Sequence, residues 1–246
     1  MSKTHGFLSK KPIPVRERLI LALDMPGAEE AERLVDELGE SVLFYKLGLE
    51  LFMAGEYFDL IERLNNKGKK VFVDLKFFDI PETVASAVKQ LGGKKGVSFA
   101  TVHGNDPMLE AACREKKAIK IFAVTVLTSL GQQDLDDLGF KTDAQTLVLS
   151  RARRAIEIGC DGVISSGQEA SQLRHDLGGK FLIVVPGIRP VKNRPDDDQK
   201  RTVDVEKAFL NGADYIVVGR PIRTAPNPCA AAEDFQRRIA GLFADA

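Results

Sequence analysis

The sequence predicts a single (β/α)8 barrel, the TIM-barrel class of α/β fold, because short apolar segments alternate with longer amphipathic segments along the chain. Eight such pairs follow one another without a Pro- or Ser-rich linker or a change in composition. The length of 246 residues suits this fold. Strict alternation implies parallel strands with helical crossovers, and eight repeats favour a closed barrel over the alternative, an open doubly wound sheet.

The candidate strands are short runs of β-branched and other apolar residues. In chain order they are Arg18–Asp24, Val42–Gly48, Lys70–Lys76, Val97–His103, Ile119–Leu127, Asp161–Ser165, Phe181–Pro186 and Asp214–Gly219.

The segments between the strands carry apolar residues at helical spacing. The first of them places Ala31, Leu34, Val35 and Leu38 on one stripe, which is typical of a helix packed on a sheet. The predicted helices are Ala28–Leu38, Leu51–Asn65, Glu82–Leu91, Pro107–Lys116, Ala144–Ile158, Gly167–Leu177, Val205–Leu210 and Cys229–Leu242.

Composition limits the class of protein. Lys plus Arg and Asp plus Glu each number 35, and the resulting zero net charge disfavours sequence-independent binding of nucleic acid. Residues 1–14 are polar and basic, so we expect a flexible tail rather than a signal peptide, followed by a catalytic barrel domain over residues 15–246. Cys113, Cys160 and Cys229 lack the spacing of a zinc site, which indicates reduced thiols in a cytoplasmic protein.

The third strand carries two charges where a barrel core is expected. Residues two apart in a strand share a face, and one face here is wholly apolar and suited to packing under helices: Val71, Val73 and Leu75. Asp74 and Lys76 therefore point into the barrel at the end of the strand, where enzymes of this fold keep their active sites. A structural ion pair that closes the barrel end is the alternative.

Further charges collect at the same predicted mouth. Asp24 and Lys46 end the first two strands on the inward face, and Asp79 follows Lys76 in the loop before Pro81. Charges of alternating sign give each ion opposite neighbours. A pair about 4 Å apart at an effective dielectric constant near 20 gains roughly 4 kcal/mol, enough to keep the groups ionised.

The ends of the last two strands suit a phosphate group. Strand seven is followed by Gly187 and Arg189, and strand eight by Gly219 and Arg220. Backbone N–H groups and guanidinium groups bind phosphate dianions, and this fold often binds phosphate at these two loops. A solvated arginine is the alternative for each.

Two hydroxyl residues and a histidine lie at other strand ends. Thr128 and Ser129 close strand five and could bind a planar polar ligand, although an ordinary turn is also consistent with them. His103 ends strand four as a catalytic or a structural barrel-end residue.

The segment at residues 74–84, DLKFFDIPETV, closely resembles the signature of orotidine 5'-phosphate decarboxylases. Further segments match the bacterial branch of that family in order and spacing: Ala22–Asp24, Tyr45–Gly48, Val124–Ser129, Pro186–Arg189 and Val218–Ile222. The resemblance implies cytoplasmic decarboxylation of orotidine 5'-monophosphate (OMP) to uridine 5'-monophosphate (UMP) in pyrimidine biosynthesis, by a homodimer without metal or organic cofactor.

The resemblance also implies residue roles. Lys76 would protonate C6 of the pyrimidine, Asp74 would lie beside the substrate carboxylate, and Lys46 and Asp79 would complete the charge network. Asp24 would join Lys46 at the ribose hydroxyls. Thr128 and Ser129 would contact the pyrimidine, the partner subunit would supply Asp79 and Thr83, and the phosphate ligands would be Arg189, Gln199, Gly219 and Arg220.

The chain departs from the family pattern in three places. Glu82 replaces the usual Asn, the turn at residues 103–106 is atypical, and the loop from Arg189 to Gln199 contains Pro195 and three consecutive aspartates. None of these departures involves the four charged residues Lys46, Asp74, Lys76 and Asp79.

Other interpretations of the function remain open. Sugar-phosphate decarboxylases and hexulose-phosphate synthases share the DxKxxD core but use Mg²⁺, for which Glu50 could supply a carboxylate. An epimerase-like barrel would need metal-binding histidines, and the chain has only three histidines. A catalytically inactive barrel that binds nucleotides would keep UMP affinity without turnover.

Overall fold

Eight parallel strands close into a barrel in sequence order in the computed structural model, which describes residues 6–188 and 202–244. Strands β1 to β8 span Leu19–Ala22, Phe44–Leu47, Lys70–Phe77, Val97–His103, Lys120–Val124, Gly162–Ile164, Leu182–Val185 and Tyr215–Val218. Strand β1 pairs with β8, with Leu19 opposite Ile216, and this pairing closes the barrel. The predicted (β/α)8 fold is confirmed, and the alternative open sheet is wrong.

Helices follow the strands on the outside of the barrel. Helices α1 to α11 span Ala28–Leu38, Leu49–Ala54, Tyr57–Asn66, Pro81–Leu91, Asp106–Glu115, Gln132–Asp137, Ala144–Ile158, Ala170–Leu177, Val205–Leu210, Arg220–Arg223 and Pro228–Phe243. The predicted bounds of α1, α7 and α9 are those found. The single helix predicted over Leu51–Asn65 is wrong, because Gly55 and Glu56 adopt φ angles of 88° and 53° and divide it into α2 and α3.

The core has two layers separated by the strands. Inward-facing residues fill the barrel with aromatic rings, and the Phe99 ring centroid lies 4.8 Å from that of Phe44 and 4.7 Å from that of Phe122. Outward-facing residues such as Val71 and Val73 pack under the helices, as strand alternation predicted. The aromatic layer forms the floor beneath the open mouth of the barrel.

The opposite, N-terminal end of the barrel is closed by a buried ion network. Asp214, which precedes β8 and is fully buried, accepts hydrogen bonds from Ser9 at 2.5 Å, Lys11 at 3.0 Å and Arg174 at 2.6 Å. The described part of the segment that we expected to be a flexible tail therefore contacts the barrel. A buried carboxylate requires such partners, and composition alone could not reveal them.

Within the two described ranges, no helix is both long and apolar enough to span a membrane.

Candidate active site

The mouth of the barrel, at the C-terminal ends of the strands, holds a cavity of about 470 Å³, which we call the mouth cavity. Its volume falls within the roughly 300–1,000 Å³ that is usual for small-molecule sites. Many of the residues singled out from the sequence line it: Asp24, Lys46, Asp74, Lys76, Thr128, Ser129, Gly187, Gly219 and Arg220.

Four charged side chains form a row of alternating sign across the mouth cavity. Lys46 Nζ lies 3.1 Å from Asp24 Oδ1 and 3.4 Å from Asp74 Oδ2. Lys76 Nζ lies 3.0 Å from Asp74 Oδ1. Strands β1, β2 and β3 carry these side chains near or just beyond their C-terminal ends. The parallel order of the strands therefore brings the four groups together. We call these four residues the charged row.

Electrostatics keeps the middle of the charged row ionised. Burial by itself raises the pKa of Asp74, but the ammonium groups of Lys46 and Lys76 outweigh it, and the pKa lies below its ordinary value. Burial likewise lowers the pKa of Lys46, yet Asp74 and Asp24 outweigh this effect and raise that pKa. The row is therefore a preorganised set of fixed charges in a partly buried cavity.

Thr101, on β4, is a site residue that the sequence reasoning missed. This fully buried hydroxyl donates to Asp74 Oδ1 at 3.0 Å and accepts the backbone N–H of Lys76 at 2.9 Å. It therefore fixes both Asp74 and the backbone of Lys76. The available signal was its inward-facing position between Phe99 and His103, by the same alternation that identified Asp74.

The backbone at Lys76 is strained. Its φ angle of 49° lies in the left-handed region, which residues other than glycine rarely adopt and which costs about 1–2 kcal/mol. The pairing of β3 with β4 shifts register between Val73 and Phe77. Such irregularities redirect side chains beside active sites. The strain here coincides with the lysine whose ammonium group ends the charged row.

The other side of the mouth cavity is rich in glycine and arginine. Gly187 has a φ angle of 75°, which favours glycine, and Gly219 has no atom within 3.5 Å of an added Cβ, so there is space beside its backbone. Arg220 and the unpredicted Arg223 line the cavity beside them. Arg189 and Gln199, which the resemblance assigned to the phosphate, lie outside the described residues.

Asp79 and Thr83 do not line the mouth cavity of their own chain. Both are exposed, and the Asp79 carboxylate accepts the backbone N–H of Ile80 at 2.7 Å. The expectation that one barrel mouth collects Asp79 with the charged row is therefore not met within a single chain, because the loop after β3 carries it outward. Glu82 is exposed as well and lies 3.2 Å from Arg114.

His103 and the hydroxyl residues after β5 lie in different surroundings. Thr128 and Ser129 line the mouth cavity, and Thr128 is buried. The ring of His103 instead packs on Phe78, with centroids 4.6 Å apart, and burial lowers its pKa. His103 does not line the cavity, which is consistent with a structural barrel-end histidine.

Potential metal ligands do not form a cluster in the described part of the chain. Across residues 6–188 and 202–244, no group of three or more His, Cys, Asp or Glu side chains is placed to hold a metal ion. Glu50, the carboxylate that a magnesium-dependent reading would use, is exposed at the start of α2 and does not line the mouth cavity.

These features define a class of protein: a (β/α)8-barrel enzyme whose mouth combines a lysine–aspartate row with a glycine- and arginine-rich wall suited to phosphate. Residues 17–235 match the model of the family described as "Orotidine 5'-phosphate decarboxylase / HUMPS family". The chain belongs to this family, and the resemblance seen in the sequence is confirmed.

Individual relatives cover the chain almost completely. It is 62% identical to an orotidine 5'-phosphate decarboxylase of Methylococcus capsulatus, over 97% of this chain and 98% of that protein. An orotidine 5'-phosphate decarboxylase of Stenotrophomonas maltophilia is 50% identical, over 96% of this chain and 99% of that protein. The crystal structure of the Lactobacillus acidophilus orotidine 5'-phosphate decarboxylase is similar in fold, with a TM-score of 0.80 and 34% identity over 91% of this chain and 99% of that one.

Proposed function

We propose that Lys76 is the proton donor to C6, and that no cofactor takes part, when this carboxy-lyase converts OMP to UMP in pyrimidine biosynthesis. Family membership and the 62% identical relative support the overall reaction. The observation that carries the mechanism is the placement of Lys46, Asp74 and Lys76 as adjacent opposite charges in the mouth cavity.

The reaction creates a charge that the charged row can stabilise. When the bond from C6 to the carboxylate breaks, its electron pair remains on C6 in the plane of the ring, where the π system cannot accept it. A fixed ammonium group lowers the energy of this carbanion electrostatically. Lys76 then transfers one proton from Nζ to C6, which gives UMP and leaves a neutral amine that solvent reprotonates.

Asp74 acts in two ways in this proposal. Its carboxylate, 3.0 Å from Lys76 Nζ, forms an ion pair with the ammonium group and directs it toward the reacting carbon. It also lies where it would repel the substrate carboxylate, and loss of CO2 would relieve that repulsion. Thr101 is a positioning residue, because it contacts Asp74 and the Lys76 backbone but does not line the mouth cavity.

The rest of the mouth cavity would bind the remaining parts of OMP. Asp24 and Lys46, at the ends of β1 and β2, suit the ribose hydroxyls, and Thr128 and Ser129 suit the polar edge of the pyrimidine. The phosphate would lie at Gly219 and Arg220, with Arg189 and Gln199 as further proposed ligands. Binding energy gained at the phosphate would position the distant C6.

We propose further that the active form is a homodimer whose sites are composite. Phe78 and Ile80, which flank Asp79, are 60% and 67% exposed. Large exposed apolar side chains close to one another indicate a protein–protein interface. A second subunit on this surface would bring its Asp79 and Thr83 to the charged row, which explains why both are exposed in the single chain.

The composite site is testable by mixing inactive variants. Co-refolded Lys76→Ala and Asp79→Ala chains would form mixed dimers in which one site is intact, so activity should return to up to about a quarter of the wild-type level. A mixture of Lys76→Ala and Asp74→Ala chains is the matched control, because both changes fall in the same site half and no activity should return. Equal results for the two mixtures would contradict composite sites.

A magnesium-dependent reaction and a catalytically inactive barrel are the competing functions. The exposed position of Glu50 disfavours the first, and the intact charged row disfavours the second, because buried charges are costly to keep for structure alone. The location that we propose is the cytoplasm, in agreement with three unpaired cysteines.

An absorbance assay with OMP in the presence of EDTA tests the proposed function. We expect turnover at the same rate with and without the chelator. Turnover that EDTA abolishes and Mg²⁺ restores would contradict the cofactor-free mechanism. Binding of UMP without any turnover of OMP would identify an inactive barrel.

A further inference from the structure

Cys113 and Cys160 meet outside the candidate active site. Their Sγ atoms lie 3.5 Å apart although the residues are 47 positions apart in the chain. Cys160 precedes β6 and is buried, whereas Cys113 on α5 is partly exposed. The pair thus joins a strand to the helix layer toward the N-terminal end of the barrel, opposite the mouth cavity.

We propose that Cys113 and Cys160 form a modification site, a thiol pair that a hydroperoxide such as hydrogen peroxide oxidises to an intramolecular disulfide. The Cys113 thiolate attacks one peroxide oxygen, the O–O bond breaks, and hydroxide leaves to become water. Cys160 sulfur then attacks the resulting sulfenic acid at Cys113, an S–S bond forms, and a second water leaves. One peroxide is reduced and two thiols are oxidised.

The surroundings assign the two thiols different roles. The hydrogen bond shared with Cys160 lowers the pKa of Cys113, and the nearby Lys116 ammonium group acts in the same direction. The same bond and burial raise the pKa of Cys160. Cys113, which is also the more exposed, is therefore the nucleophile, and Cys160 is the resolving thiol.

The crosslink would enclose a defined part of the barrel. The chain between the two cysteines contains β5, α6 and α7, including Thr128 and Ser129 of the mouth cavity. The sulfurs, now 3.5 Å apart, need to approach to about 2.05 Å to form the bond. The oxidised protein should resist unfolding more than the reduced protein, with its mouth cavity unchanged.

Peptide mapping by mass spectrometry after graded peroxide treatment tests this site on the wild-type protein. We expect a peptide pair joined through Cys113 and Cys160, with the mass loss of two hydrogens reversed by dithiothreitol. Cys229→Ser is the matched control and should form the same crosslink, whereas Cys160→Ser should accumulate a dimedone-reactive sulfenic acid at Cys113. Oxidation of Cys113 to sulfinic acid without a crosslink in the wild type, or a crosslink to Cys229, would overturn the proposal.

Arg223 ends the short helix α10 and lines the mouth cavity together with Arg220. Residues three apart in a helical turn lie on one side of the helix, and both arginines line this cavity. Arg223 Nε is buried and has no hydrogen-bond partner among the described residues. Because Arg223 lines the cavity, its guanidinium group can donate N–H groups to an anion bound there.

We infer that Arg223 is a further specificity-determining residue that binds the phosphate of the substrate, an inference that rests on the proposed function. Isothermal titration of UMP and of uridine compares ligands that differ only in the phosphate. Arg223→Gln should weaken UMP binding about tenfold and leave uridine binding unchanged, while Arg223→Lys should lose less. Arg237→Gln, at an exposed arginine on α11, is the control.

The outcomes separate the two claims. Unchanged UMP affinity in Arg223→Gln, or an equal loss for UMP and uridine, would overturn the role of Arg223 while wild-type turnover of OMP keeps the proposed function intact. A wild-type protein that neither binds UMP nor converts OMP would instead reject the proposed function and, with it, this inference.

Discussion

Thr101 Oγ1 and Asp74 Oδ1 lie 3.0 Å apart, and this buried contact joins β4 to the part of the charged row that β3 carries. The same hydroxyl accepts the backbone N–H of Lys76, where the chain adopts its left-handed conformation. One threonine thereby holds the carboxylate and the backbone of the lysine in a fixed relation. The strained geometry of Lys76 persists because the neighbouring strand supports it.

Lys76→Ala should reduce kcat for OMP by more than about a thousandfold, because it removes both the fixed ammonium group and the proposed proton donor. UMP binding should remain largely intact, since the substitution does not touch the glycine- and arginine-rich wall of the mouth cavity. Steady-state kinetics and titration calorimetry measure the two effects, with Lys120→Ala at an exposed lysine as the control. Near-normal turnover would disprove the assignment of Lys76 as proton donor.

Thr101→Val should lower kcat by roughly ten- to a hundredfold with little change in UMP affinity, because the shape is kept while both hydrogen bonds are lost. The hydroxyl helps to lower the pKa of Asp74, so its removal should raise that pKa. In the proposed mechanism Asp74 must be ionised, so activity should be lost as pH falls through its pKa. The acid limb of the pH–rate profile should therefore move to higher pH.

Thr101→Ser is the matched variant for this test, because it restores a hydroxyl and should recover most of the rate and the original acid limb. A Thr101→Val profile that is scaled down without moving along the pH axis would show that Thr101 contributes only to packing.

Arg220→Ala should chiefly raise the KM for OMP and weaken UMP binding, by about tenfold or more, because one guanidinium group no longer contacts the phosphate. The affinity for uridine should be unaffected. The comparison of UMP with uridine in the same titration provides the control. A KM equal to that of the wild type would place the phosphate elsewhere.

Asp214→Asn should destabilise the protein by about 3–5 kcal/mol, because it leaves the buried Arg174 guanidinium without its carboxylate partner. Urea denaturation measures the change in the free energy of unfolding. Asp59→Asn, at an exposed residue of α3, should change it by less than about 0.5 kcal/mol. Because the network lies opposite the mouth, kcat of the folded Asp214→Asn protein should stay close to the wild-type value.

Gly162→Ala should destabilise the barrel by about 1–3 kcal/mol, because the added Cβ would clash with Leu182 O and would lie 2.6 Å from the Phe122 ring. Gly241→Ala, within helix α11, is the opposite case, since an added Cβ there meets no atom within 4 Å. That change should stabilise by up to about 1 kcal/mol through helix propensity. Thermal unfolding of both variants should therefore shift in opposite directions.

Local periodicity was enough to predict the barrel and the four residues of the charged row. Strand alternation assigned Phe72, Asp74 and Lys76 to the interior, and the position of a residue at a strand end assigned it to the mouth. These inferences succeed because a two-residue period and the parallel order of strands are properties of consecutive residues. The resemblance of residues 74–84 to a known signature added the chemistry.

Relations between distant segments were decided only by the folded barrel. Three side-chain contacts join residues that are far apart in the chain: Thr101 with Asp74, Cys113 with Cys160, and Ser9 with Asp214. Such contacts depend on the register between neighbouring strands, which barrel closure sets for all eight strands together. The sequence by itself therefore determined most of the residues that face the mouth, whereas tertiary structure determined which of them touch.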